Sequence, residues 1–251
     1  SPNSGTIYNS GVITLGSKAL SAITDSSSDI LISFDKYTWH QTTSPSLGTN
    51  GAVTVASVSD AFGQDFNSSW FGWNSNNQTH TGLTIGKPTN TSHIAVPSAL
   101  TVNGNLSLYG GSLEVSNDII ATDGNILLDA DLDSGINSGK DGVIVADGTT
   151  IKTINSGDIS ILGRSGTGNI VGLIGVEAIG INSIINAAGD VYVSGVSEST
   201  ASSSTRGVWI KGTITSIGDL TFVGSALSAA NDYDLSIQDT QISVGGNLLF
   251  D

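Results

Sequence analysis

One five-residue word constrains this chain more than any other feature: glycine, then Asp or Asn, then apolar, any residue, apolar. It stands at Gly157-Asp158-Ile159-Ser160-Ile161, and it opens again at Gly104, Gly124, Gly189, Gly218 and Gly246. Glycine adopts backbone conformations that other residues resist, and Asp and Asn favour turns, so the first two positions read as a corner. The alternation that follows reads as a strand with one buried face. From Gly124 the word returns after 33, 32, 29 and 28 residues. Each interval holds three strand candidates, as in Ile126-Leu127-Leu128, Val143-Ile144-Val145 and Ile151-Lys152-Thr153-Ile154. The extra residues fall mostly after the first strand, in Gly/Ser/Asp-rich text such as Asp133-Ser134-Gly135.

A fixed strand number per repeat, with variable length at one corner, is the pattern of a stacked-coil array. The expected fold is all-β, a parallel β-helix with three short strands per coil, about eight coils and loop insertions. One coil buries too little to offset the entropy of ordering it, so the coils must stack. Composition agrees: three Glu against nineteen Asp, no Met, and charged residues at only 12% leave a long helix without its usual surface residues. Residues 1–34 read as the first coil or coils, 35–81 as coils carrying aromatic-rich insertions, and 82–251 as the regular solenoid, all in one continuous domain. Gly246 to Asp251 is the first strand of a coil whose other two are missing, which predicts a longer parent protein.

The word, with Leu83-Thr84-Ile85-Gly86 and Gly124-Asn125-Ile126-Leu127-Leu128-Asp129-Ala130-Asp131, resembles the repeat regions of large bacterial surface proteins, the filamentous-haemagglutinin-like adhesins and related β-strand-repeat proteins. The resemblance covers roughly 82 to 251 and weakly 5 to 34. It implies a right-handed parallel β-helix, secretion to the bacterial cell surface, and work as a structural shaft or adhesive section of a surface protein or filament. It implies no active site. The partners it suggests are other segments of the same long chain and a glycan or protein receptor. Copies packing side by side are a further expectation, drawn from the uncharged Ser/Thr/Gly wall. A polysaccharide-binding or polysaccharide-cleaving module is the alternative.

A net charge of −14 argues against nucleic acid and anionic membranes, and no apolar run is long enough to insert as a helix. Without cysteine there are no disulfides or thiolate metal sites. Asp129, Asp131 and Asp133 alternate along an extended segment and read as a solvated comb, a weak Ca²⁺ candidate, or paired carboxylates near glycosidase spacing. The calcium-loop pattern fails, since Ser134 stands where Gly is needed and Lys140 where Glu is needed. No other cofactor is expected. Trp39, Trp70, Phe71 and Trp73 read either as packing under their own excursion or as a ligand-contacting platform. His40, His80 and His93 share no metal spacing and read as surface or loop residues. Arg164 and Arg206 sit in Gly/Ser text, and Gly166-Thr167-Gly168 reads as a plain loop.

Overall fold

The computed structural model describes residues 5–8, 12–15, 23–25, 29–39, 47–49, 51–73, 80–130, 139–178, 180–201, 204–227 and 233–251. The chain is a β-solenoid whose sheets are parallel, and the described residues include no α-helix. Its first face is a ten-stranded sheet that starts at Gly5–Tyr8 and ends at Leu248–Phe250. The repeated word supplies this face from Asn105–Tyr109 onward, through Ile126–Ala130, Ile159–Arg164, Val191–Ser197 and Leu220–Ala226. The second face runs from Phe66–Asn67 through His93–Val96, Ser112–Val115, Val143–Val145 and Ile174–Ala178. The third runs from Leu100–Val102 through Ile119–Asp123, Thr150–Ser156 and Ile184–Ala187.

In the last two coils the second and third faces merge. Arg206–Ser216 pairs with Ile174–Ala178 along its first half and with Ile184–Ala187 along its second. Tyr233–Val244 then follows it around the same bend. Upstream the corner is a turn, Ala146 to Thr149. Here the turn is replaced by a bulge: Gly212, at φ +108°, pairs with Thr240, and Asp239, at φ +48°, is the extra residue beside it, so the strands bend without breaking. The solenoid has about six turns, fewer than the eight expected. Upstream of Gly82 the second and third faces are not continuous: Val12–Leu15 pairs with Lys36–Trp39, and Ile23–Asp25 with Leu47–Thr49, as separate two-stranded sheets.

Register turns the word's two apolar positions into two columns down the core. One is Leu83, Leu106, Ile126, Ile159, Val191 and Leu220; the other is Ile85, Leu108, Leu128, Ile161, Val193 and Phe222. All are buried. Each side chain on such a strand contributes roughly 1.5–3 kcal/mol on burial, and like residues one coil apart keep the column continuous. Leu248 and Phe250 extend the columns, and Phe250 stacks on Phe222 at 5.6 Å.

The polar position of the word makes a third column, at the corner. The side-chain Oδ1 of Asn105 accepts from the backbone N–H of Asn125 at 2.9 Å, and Asn125 from that of Asp158 at 2.8 Å. Asp158 accepts in turn from Asp190, Asp190 from Asp219, and Asp219 from Asn247, at 2.8, 2.8 and 2.7 Å. Each coil is thus tied to the next by a side chain, not only by the sheet ladder. Nearer the start, Asp29 accepts from Ala52 N–H at 2.8 Å. From Asn105 to Asn247 the glycine before each of these residues leaves room for the approach: a Cβ on Gly157, itself at φ +108°, would sit 2.1 Å from the carbonyl oxygen of Gly124.

Candidate functional site

A second set of close approaches shapes the corner between the first and second faces. A Cβ on Gly163 would stand 2.1 Å from the oxygen of Gly175, and one on Gly195 would stand 2.1 Å from that of Gly207. The corner is therefore tight: the first-face strands Ile126–Ala130, Ile159–Arg164, Val191–Ser197 and Leu220–Ala226 all end at this edge, and the described connection 165–173 leaves the stack from it. The variation in length read from the sequence thus falls between the first and second strands of each coil.

Outward residues of the second face, on the flank of the stack, fall into one column by register: Glu114, Ile144, Glu177, Trp209 and Ser236. Two of the chain's three glutamates, Glu114 and Glu177, stand in this column, and one of its two arginines, Arg206, is seated over Trp209. Arg164, at the end of its strand, pairs with the buried Glu198 at 2.7 Å. Arg206 opens the Arg206–Ser216 strand with its guanidinium carbon 4.3 Å above the Trp209 ring, and Lys211 Nζ lies 4.9 Å from the same ring. The two arginines thus lie at strand ends, where their Gly/Ser context had suggested loops.

Burial, reinforced by the Asp141 carboxylate, pushes Glu177 up to about 7 against the pull of Arg206 and Lys211. Burial also raises Asp141, opposed by the Ile174 N–H that it accepts at 2.7 Å. Both acids therefore hold protons more tightly than free carboxylates do.

At the upstream end of the column is a recess of about 280 Å³ lined by His93, Ser112, Glu114, Lys140, Asp141 and Ile144 among others. His93 Nδ1 is 2.7 Å from Ser112 Oγ, and its Nε2 is 3.8 Å from Glu114. Burial and then Lys140 hold His93 below its usual value, while Asp65 and Glu114 act the other way. Lys140 reaches Asp65 at 3.7 Å, so the 57–81 excursion touches the rim.

Asp129 lies half-buried on the outward side of the first face, while Asp131 and Asp133 lie outside the described residues. Trp39 is on a described strand, but its side chain lies outside the described residues. Phe71 and Trp73 are buried with Phe34, Phe62 and Phe66, and the Trp73 indole N–H donates to Ser68 carbonyl. Trp70 packs edge-on to Phe66, with ring centroids 5.1 Å apart, and keeps part of its surface in water. His80 is fully buried, which corrects its reading as a surface residue, and His40 lies outside the described residues. Gly168 pairs with Ser199 of the next loop, so Gly166-Thr167-Gly168 is a loop stacked on a loop. The glycines of the word, Gly104, Gly124, Gly157, Gly189, Gly218 and Gly246, all stand at the ladder corner.

No family model, curated protein or solved structure matches the chain.

Among the described residues no group of three or more His, Asp or Glu is placed to hold a metal ion. Sequence reading missed the flank, although its signal was present. Two of the three glutamates stand in the same frame, apolar-Glu-apolar, at Leu113-Glu114-Val115 and Val176-Glu177-Ala178, in the second strand of their coils. Gly-Val likewise recurs at Gly142, Gly175 and Gly207.

Proposed function

We propose that the chain is a structural section of a bacterial surface or secreted protein, a shaft of stacked coils that carries adhesive contacts on its flank. The observation that carries this is the corner ladder from Asn105 to Asn247: the polar side chains that recur are spent on joining coil to coil. An enzyme's recurring polar residues would instead converge on one reacting centre. Antibodies raised against the folded chain should label intact cells of the producing bacterium. Labelling that appears only after lysis would contradict the proposal.

A second reading, a polysaccharide-binding module, is favoured by the flank itself. Two of the chain's three glutamates, Glu114 and Glu177, lie in one outward column, with Arg206 and Lys211 over its Trp209 ring and a recess beside it. No structural ladder requires them there.

A further inference from the structure

We propose that the recess on the outward side of the second face binds one ring of a neutral, hydroxyl-rich glycan, whose chain continues along the column from Glu114 to Trp209. This rests on the binding-module reading and assigns it a place. The recess, at about 280 Å³, is just under the size that encloses a drug-sized ligand and suits a single ring. Its wall alternates donors with acceptors: Lys140 and the His93–Ser112 pair face Glu114 and Asp141. Sugar hydroxyls both donate and accept, so each can serve either kind of wall group.

The alternatives fit less well. An anion would meet Glu114, Asp141 and Asp65 on a protein already at −14. A cation would meet Lys140 and, further along, Arg206 and Lys211. A fully apolar ligand would strip water from the carboxylates without replacing their hydrogen bonds.

The column gives the chain of sugars a path. Glu114, Ile144, Glu177 and Trp209 are successive register partners, so they lie at steps of about 4.8 Å and span about 14 Å along the solenoid axis. Ile144 offers an apolar contact for a ring's C–H face, and beyond it the Arg206 and Lys211 groups seated over the Trp209 ring offer donors to hydroxyls. The ligand therefore lies across the strands, parallel to the axis.

The test is two-dimensional NMR titration of the whole chain with cellohexaose, maltohexaose, xylohexaose and chitohexaose, and with oligogalacturonate as the anionic comparison. Expected is saturable binding of at least one neutral hexasaccharide below 5 mM, with shifts at Ser112, Glu114 and Ile144. Ile144→Arg, which fills the recess, should weaken it at least tenfold, whereas Ile120→Arg on the outward side of the third face should not. Should Ile144→Arg misfold, Glu114→Ala at an exposed position, which removes the wall group, serves instead, with the same loss expected. Shifts confined to another face would overturn this site and leave the binding-module reading standing. No binding by any neutral probe, or preference for oligogalacturonate, would overturn both. Cell-surface labelling tests the shaft reading separately.

Discussion

Replacing Gly157 by alanine should be among the most damaging single-methyl additions to the ladder corner, and two other glycines separate the reasons. Gly157 combines a left-handed backbone, φ +108°, with a Cβ position 2.1 Å from Gly124 oxygen and 2.5 Å from its carbonyl carbon. A side chain in the left-handed region costs roughly 1–2 kcal/mol. The clash is with backbone atoms of the neighbouring coil, which cannot rotate aside, and overpacking of this kind costs roughly 1–3 kcal/mol more. Gly148→Ala isolates the first cost, since φ is +76° and nothing lies within 4 Å. Gly124→Ala isolates the second: its φ is not left-handed, and its Cβ would meet the Gly104 carbonyl carbon at 2.3 Å and the Asn105 nitrogen at 2.5 Å. Solenoids need not unfold in one step, so the assay pairs urea denaturation with hydrogen exchange of Ile126–Ala130 and Ile159–Arg164. Expected losses are about 2–5 kcal/mol for Gly157→Ala and about 1–2 kcal/mol for Gly148→Ala, with faster exchange near residue 157 in the first alone. Equal losses in the two would refute the claim that the corner is held by close backbone approach.

Asp190→Ala strands the Asp219 N–H and should lower stability by about 1 kcal/mol at this water-accessible corner, while Asp190→Asn keeps the acceptor and should cost less; denaturation midpoints decide. Trp73→Ala should cost roughly 3–5 kcal/mol, because the ring is buried in the aromatic core; retained stability with lost binding would restore a ligand role. Glu177 has an ordinary value of 4.5 in the unfolded chain and about 7 in the fold, so its contribution is fully present below pH 4.5 and is lost as pH rises through 7. Allowing for water at this partly exposed site the loss is on the order of 1 kcal/mol, and Glu177→Gln should flatten that part of the stability profile, measured from pH 4 to 8.

Much of the fold was legible because its period was local. Leu106-Ser107-Leu108 announces its own buried face, and the glycine before Asn105 announces its own corner. What the Asn does there was not legible. Its side chain could have closed a turn on its own backbone, and only the stacked neighbour 20 residues away shows that it accepts across the coil boundary. The coil count was overestimated because strand text in 1–81 looks like that in 82–251, although only the later part builds three continuous faces. The aromatics between Phe34 and Trp73 are conspicuous in sequence, and of their two readings packing is the one that Phe71 and Trp73, both buried, follow. The flank, by contrast, was hidden. Glu114, Glu177 and Trp209 are ordinary outward residues of three different strands, and only register places them in one column.

The central claim is that successive words stack in register, and distance along one column tests it most directly. Ser107, Leu127, Ser160, Tyr192 and Thr221 are successive partners on the outward side of the first face. The chain has no cysteine, so spin labels can be placed on Ser107→Cys and Thr221→Cys alone. Four steps of about 4.8 Å put the two backbones about 19 Å apart, and pulsed electron resonance should give one narrow distribution within label length of that value. A broad distribution, or one centred beyond about 35 Å, would contradict the stacked-coil architecture.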